Sequence, residues 1–410
     1  MKTILCLFLF SFLAVAHADN WPEYRGPAGT GHSAEKNLPV TWSDADIAWT
    51  TELPGEGQST PVIWDGRIYL TYAKPAGDKV SRHVVCLSRA DGTIVWDKEA
   101  SVTSGESLHK MNTWATSSCV TDGKLVGVFF GRGGLHVFDV DGTKIWSKDL
   151  GEFPGAWGTA GSPVFHGDML IQNGDAEGAS FLYAFNKHDG APIWKTLRNE
   201  KPKGGWSTPI FIKAGDREEL VLNGEFGVKG YDPANGKERW FCESFNGRGT
   251  PIPAWGNGLL ITLNGKPGDL YAVKPGGGGN VTATHRVWNA ERGSKARDLA
   301  SPILVGDVVF TVNMGGFGAC FNVTDGERYW VERLGGNHSA SPIAANGLVY
   351  QLSEEGETVV LRPGKTLDVV ARNVLTVERE IFRASPAASE GQLFLRSNRR
   401  LFCVGKRGAE

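Results

Sequence analysis

The chain has 410 residues, 54 of them glycine and 14 tryptophan, and a formal net charge of −2. That length exceeds one ordinary sandwich or doubly wound core and calls for two or three domains or one repeat architecture. A balance so close to neutral argues against the electrostatic footprint of a nucleic-acid or anionic-membrane binder.

In chain order, residues 1–18 read as a signal peptide. Lys2 opens it, Ile4 to Val15 form an apolar run, and Ala16-His17-Ala18 is a small-x-small cleavage site that leaves Asp19 first. The run is too short to span a bilayer. The expectation is an exported, soluble, monomeric protein, periplasmic or secreted, with no membrane span after cleavage. Five cysteines then remain: Cys86, Cys119, Cys242, Cys320 and Cys403. Their number is odd and their spacing wide, so they read as small buried apolar side chains. No CxxC and no CxxCH haem site occurs.

Residues 19–41 form a lead-in beginning Trp21-Pro22-Glu23-Tyr24-Arg25-Gly26-Pro27, and a lone strand follows at Ile47-Ala48-Trp49-Thr50. From there one line recurs: an apolar strand, a short polar stretch, Asp-Gly or Asn-Gly, then Trp four residues after the Gly. It appears as LSRADGTIVW (87–96), VFDVDGTKIW (137–146), AFNKHDGAPIW (184–194), GYDPANGKERW (230–240) and CFNVTDGERYW (320–330), with a looser copy at 271–288. A second line, Ser/Thr-Pro followed by a glycine turn and an apolar strand, precedes each copy. Its prolines are Pro61, Pro163, Pro209, Pro251, Pro302, Pro342 and Pro386, with Cys119 standing in for one.

Each unit therefore offers four short antiparallel strands, with Asx-Gly turns that suit hairpins. A lone meander of that size cannot stand by itself, and units at this period pack radially. The last unit (384–404) has only three strands, and the spare strand at Trp49 completes it. The reading is all-β: an eight-bladed propeller over 42–405, its ring closed by the N-terminal strand pairing with the C-terminal blade, with a tail at 406–410. Trp49, Trp96, Trp146, Trp194, Trp240, Trp288 and Trp330 are expected as wedges between blades, because a large aromatic buries the most area there. The seventh unit has Asp368-Val369-Val370 in place of a Trp strand.

The A/F-x-D/N-x-x-x-G-x-x-x-W line resembles the tryptophan-docking motif of quinoprotein alcohol dehydrogenases and their wider PQQ-like repeat superfamily. The opening Trp21 to Pro27 is similar to the lead-in of exported bacterial members grouped as BamB-like, after the propeller subunit of the outer-membrane β-barrel assembly machinery. The WD40 pattern differs, because no unit has a Gly-His start with a Trp-Asp end.

Three functions follow. The resemblance implies a quinone-dependent dehydrogenase, with pyrroloquinoline quinone (PQQ) over Ca²⁺ at the propeller centre beside an Asp base. Ca²⁺ needs hard oxygen ligands, and Asp175, Glu177, Glu225 and Asp269 are carboxylates in turns that also read as solvated. The adjacent-cysteine disulfide and long insertions of those enzymes are absent from the chain. The second class, and the one the residues favour, is a non-enzymatic binding scaffold for a small molecule, glycan or envelope protein. Counting back from each Pro places Gln58, Trp114, Thr116, Trp157, Trp206, Arg248, Arg297, Asp298, Asn337, His338 and Arg383 around the central funnel. Planar aromatics and guanidiniums there suit stacking and forked hydrogen bonds to an anion or sugar. The third class is a hydrolase or lyase with His338 as base and Asp298 as its orienter. No metal-ligand cluster and no nucleophile elbow accompanies that pair.

Overall fold

A computed structural model of the chain describes residues 20–199, 203–244, 247–375 and 380–406. Residues 1–18, expected as a signal peptide, and the end of the tail lie outside the described residues. Eight sheets, each with four antiparallel strands in meander order, make the propeller. The first blade comprises Val62–Trp64, Arg67–Ala76, Lys79–Ser88 and Ile94–Thr103. Blades two to seven follow over 120–148, 164–199, 210–243, 254–291, 303–333 and 343–374. The eighth blade takes Ala387–Ser389, Gln392–Arg396 and Arg400–Val404, and its outer strand is Ile47–Glu52. Trp49 stands opposite Cys403 and Glu52 opposite Arg400, so the two ends of the chain are stitched into one sheet. Among the described residues no helix is long and apolar enough to cross a membrane.

The tryptophan spacing has a concrete cause. The indole N–H of Trp49 donates to the Arg89 carbonyl in the next blade, and Trp96, Trp146, Trp194, Trp288 and Trp330 repeat the bond onto Val140, Lys187, Pro233, Val323 and Gly364, all at 2.9–3.0 Å. Each acceptor lies in the turn after the third strand of the neighbouring blade. In five of the six, Trp330 excepted, the ring also rests on the Asx-Gly glycine of that turn. A Cβ on Gly326 would lie 2.6 Å from the Trp288 ring, and its φ of +77° already disfavours a side chain. The glycine and the tryptophan of the repeat are thus two halves of one contact between adjacent blades.

Two blades depart from this rule. Trp240 is fully buried and shares an apolar cluster with Leu260 and Val273 of the next blade. Its N–H, however, turns inward to Glu219 Oε2 at 2.7 Å. The next blade has the long glycine-rich turn instead of Asx-Gly, so the usual docking carbonyl is missing. Gly279–Asn280 of that turn pairs in parallel with Trp240–Phe241 and covers the outer edge of the fourth blade. In the seventh blade Ala371 occupies the tryptophan's place opposite Val360. Leu38 of the lead-in and Trp42 just after it join the same apolar cluster, and Asn373 anchors the Trp42 and Val40 backbone.

The Ser/Thr-Pro line also has a cause. Backbone N–H groups of Thr60, Ser118 and Ser162 donate to the hydroxyls of Ser118, Ser162 and Thr208 in the next blade at 2.8–3.0 Å. Ile252, Ser301 and Ser341 donate in the same way to Ser301, Ser341 and Ser385, each at 2.9 Å. These bonds run around the inner rim from blade to blade. Between the eighth and first blades the fully buried Arg396 does the joining, with bonds to the Ser59 and Thr71 carbonyls. The five cysteines are buried free thiols, and Cys86, Cys320 and Cys403 face Trp96, Trp330 and Trp49 across strand pairs.

The lead-in crosses the far end of the central channel. Trp21 bridges Ile63 of the first blade, the Pro22 carbonyl accepts from Thr121 N of the second, and Gly29 packs on Ile210 of the fourth. The buried Arg25 guanidinium bonds to the Gly29, Thr30 and Pro302 carbonyls, and His32–Ser33 pairs with Ala344–Ala345 of the seventh blade.

Trp288→Ala should cost about 3–5 kcal/mol of stability, the usual loss for truncating a buried tryptophan. Gly326→Ala should be comparably harmful in the wild-type background and much milder once Trp288 is Ala, because the clash is with that ring. Chemical denaturation of the two single variants and the double variant reads this coupling. Strict additivity would refute the shared contact.

Candidate functional site

The connections entering each inner strand converge on the mouth opposite the lead-in. They enclose a cavity of about 200 Å³. Of the residues placed there by counting, Gln58, Thr116, Trp157, Trp206, Arg248, Arg297 and Arg383 line it. The Arg248 guanidinium carbon lies 4.4 Å from the Trp157 ring centre and 5.7 Å from that of Trp206. The two indoles meet edge to face at 6.4 Å, and Trp206 Nε1 donates to the Gly158 carbonyl at 2.7 Å. Arg248 is only loosely paired, with Glu177 at 3.7 Å, and its Nε is buried without a hydrogen bond. Arg383 bonds to Glu354 at 3.1 Å, and Arg297 is exposed with no ion pair among the described residues.

Four expected residues lie elsewhere. Trp114 faces a groove beside Leu53, Pro54 and Leu108, because its N–H is drawn to the Glu106 carbonyl. Asp298 is buried and ion-paired with Arg292. Asn337 points outward onto Glu355. His338 is fully buried; one ring nitrogen meets the Gly335 carbonyl at 2.9 Å, and the other meets Leu352 and Gln351. A His338–Asp298 acid–base pair is therefore not formed. The counting rule is blind to side-chain direction, and a residue one position off the rim turns into a blade.

The cavity also takes in residues that the count missed. His109, Met111 and Asn112 come from the long connection between the first two blades. His109 lies 4.4 Å from the Trp157 ring, and Asn112 Nδ2 donates to the Trp157 carbonyl at 2.7 Å. Partial burial and the nearby Lys110, Arg297 and Arg383 hold the His109 imidazole below its usual range. Tyr24 of the lead-in and the rim hydroxyls Thr60, Ser118, Ser162, Thr208 and Ser385 form the floor. The recurring Ser/Thr before each Pro was the available signal for them.

A serine–histidine–aspartate chain does exist, on the first blade. His83 lies 2.8 Å from Ser81 Oγ and 2.9 Å from Asp97 Oδ1. The Ser81 hydroxyl already donates to Glu99 at 2.7 Å and is 2% exposed, so it is not free to attack a substrate.

A family model described as outer membrane protein assembly factor BamB (PQQ_2) matches residues 33–155, 81–243 and 243–365. The chain belongs to that family. Among solved structures it is similar to BamB from Moraxella catarrhalis at 15% identity and TM-score 0.61, over 87% of this chain and 98% of that one. A europium-containing methanol dehydrogenase shares 12% identity at TM-score 0.67, over 92% and 89%. Quinohemoprotein alcohol dehydrogenase from Comamonas testosteroni shares 12% at 0.65, over 95% and 81%. Identities this low speak for the propeller fold that the family shares. No curated protein matches the chain in sequence.

The quinone and Ca²⁺ implied by the dehydrogenase resemblance can be tested against this family member's own donors. No Asp or Glu lines the cavity. Asp175 is paired with Arg198, Glu225 accepts from Asn199, and Asp269 accepts from Asn289. No group of three or more His, Cys, Asp or Glu that could hold a metal occurs among the described residues. A hard divalent cation needs several oxygen ligands, so these residues do not fit one in the cavity.

Burial makes two histidines acid-sensitive. His136 is pushed from 6.5 to about 4, and His338 is also lowered, in both cases chiefly by burial. Both are neutral when folded, so the unfolded chain binds more protons once pH falls below its imidazole range. The thermal midpoint should therefore drop as pH falls from 6.5 towards 4, and His136→Gln should flatten that slope. A slope unchanged in both His136→Gln and His338→Gln would count against it.

Proposed function

We propose that this protein is an exported, non-catalytic propeller that binds an anionic ligand or partner group at its funnel mouth. The observation that carries the reading is the Arg248 guanidinium lying against the rings of Trp157 and Trp206 at a cavity that Arg297 and Arg383 share and no carboxylate lines. A guanidinium clamped against aromatic faces is held ready for forked bonds to a carboxylate or phosphate. The aromatic walls accept a flat ring. The family's assembly-factor description favours a scaffold role, with an envelope protein, glycan or small molecule as the source of the anion. Fold neighbours that are dehydrogenases support the quinone-dependent oxidoreductase as the second reading, and the missing carboxylate oxygens weigh against it.

Phenyl phosphate combines a ring with an anion and serves as the probe. Arg248→Ala should weaken its binding, read by calorimetry, about ten- to hundred-fold, the worth of a charge-assisted hydrogen bond. Arg383→Ala should weaken it less, since Glu354 already holds that side chain. Both variants should keep the wild-type thermal midpoint. A midpoint drop as large as that of Trp194→Ala would show that these arginines serve the fold instead. Reconstitution with PQQ and Ca²⁺ that produces dye reduction with alcohols would displace the scaffold reading. Export is checked by N-terminal sequencing of the secreted or periplasmic form, which should begin at Asp19.

A further inference from the structure

We propose that the floor of the funnel is a distinct oxyanion subsite, built from a ring of hydroxyl donors beneath the arginine and tryptophan rim. It rests on the reading of the funnel as a ligand site, and it specifies what the deepest part of that site holds.

Ser118, Ser162, Thr208 and Ser385 each accept a backbone N–H from the preceding blade. Each oxygen thereby accepts one bond from outside the channel, and the hydroxyl protons find no acceptor among the described residues. All four residues line the cavity. Thr60 lines it as well, is 1% exposed, and its Oγ1 is buried with no hydrogen-bond partner. Tyr24 rises from the lead-in to meet Ser341 Oγ at 3.0 Å. Where Ser341 is the donor of that pair, the Tyr24 proton is left on the cavity that Tyr24 lines. A buried hydroxyl left unsatisfied costs free energy, and here several come from separate blades around one cavity.

Two chemistries could satisfy hydroxyls in such a place: a group that donates or a group that accepts. Accepting an amide bond strengthens a hydroxyl as a donor, by the usual mutual polarisation of hydrogen-bond chains. Above the floor, Arg383 is paired with Glu354 and Arg248 loosely with Glu177, Arg297 has no ion pair among the described residues, and no carboxylate is on the lining. Both facts select an acceptor with negative charge. The volume, about 200 Å³, falls below the roughly 300–1,000 Å³ of pockets that enclose a drug-sized molecule. The occupant is therefore a phosphate or carboxylate, either free or as the end group of a ligand whose body reaches the tryptophan rim.

Inorganic phosphate is the probe, titrated calorimetrically into the mature protein at neutral pH. Saturable binding is expected, weakened about ten-fold or more in Thr60→Val. Valine keeps the shape of threonine, and Thr60 Oγ1 has no protein partner to lose, so the thermal midpoint should hold or rise. Tyr24→Phe is the second variant and should also weaken phosphate. Displacement of phosphate by phenyl phosphate assigns the floor to an end group, and independent binding of the two assigns it to a free ion. Phosphate binding untouched by both floor variants but lost in Arg248→Ala overturns the floor site and leaves the mouth reading intact. Binding of phenyl phosphate without any of phosphate does the same. Failure of both probes overturns the two readings together.

Discussion

Adjacent blades are held by an indole lying on a glycine. The contact joins three requirements that no single residue meets: a broad apolar plate to fill the wedge between twisted sheets, an N–H to satisfy a turn carbonyl, and a neighbour with no side chain in the way. Repetition of this contact from blade to blade sets how closely the sheets approach and therefore how wide the central channel is. The inner rim is then tied by a second circumferential set, the amide-to-hydroxyl bonds from Thr60 through Ser385. The propeller is thus bonded around its circumference at two radii. The antiparallel pairing of Ile47–Glu52 with Arg400–Val404 leaves no sheet open at the seam.

Irregular blades show what happens when one half of the contact is missing. Where the fifth blade lacks an Asx-Gly turn, Trp240 turns inward to Glu219, and a two-residue parallel strand covers the exposed edge. Where the seventh blade lacks its tryptophan, Leu38 of the lead-in and the adjoining Trp42 share the apolar cluster of Ala371. That lead-in is therefore a structural part of the ring as well as a stopper for the channel. Its buried Arg25 spends its hydrogen bonds on backbone carbonyls of the lead-in and of the sixth blade, which pins a segment with little regular structure of its own.

Closure of one end makes the channel a funnel, and its chemistry is layered. Apolar and aromatic groups with arginines occupy the mouth, and hydroxyls occupy the floor. Besides its arginines, the titratable groups on its wall are His109 and Tyr24. The groups that could have acted as acids or bases, Asp298, His338 and the Ser81–His83–Asp97 chain, are committed to other partners. The family shares its scaffold with enzymes and with an assembly factor, and what separates such functions is the set of side chains on the cavity wall.

The sequence by itself determined the blade count, the antiparallel class and the closure at Trp49, because these follow from period and from a spare strand at the start matching one missing from the last unit. It also showed which loops reach the mouth, since a fixed offset from each Ser/Thr-Pro marks the start of an inner strand. Seven of the eleven residues counted in this way line the cavity, among them Trp157, Trp206 and Arg248. Only the tertiary structure decided the rest. His338 and Asp298 differ from Arg297 by a single step in direction, and direction depends on backbone torsions that no period encodes. Tyr24 and His109 reach the site from segments outside the repeat, so no offset points to them. The hydroxyls were visible as a motif, but the amide bonds they accept were not, because those exist only once the neighbouring blade has packed.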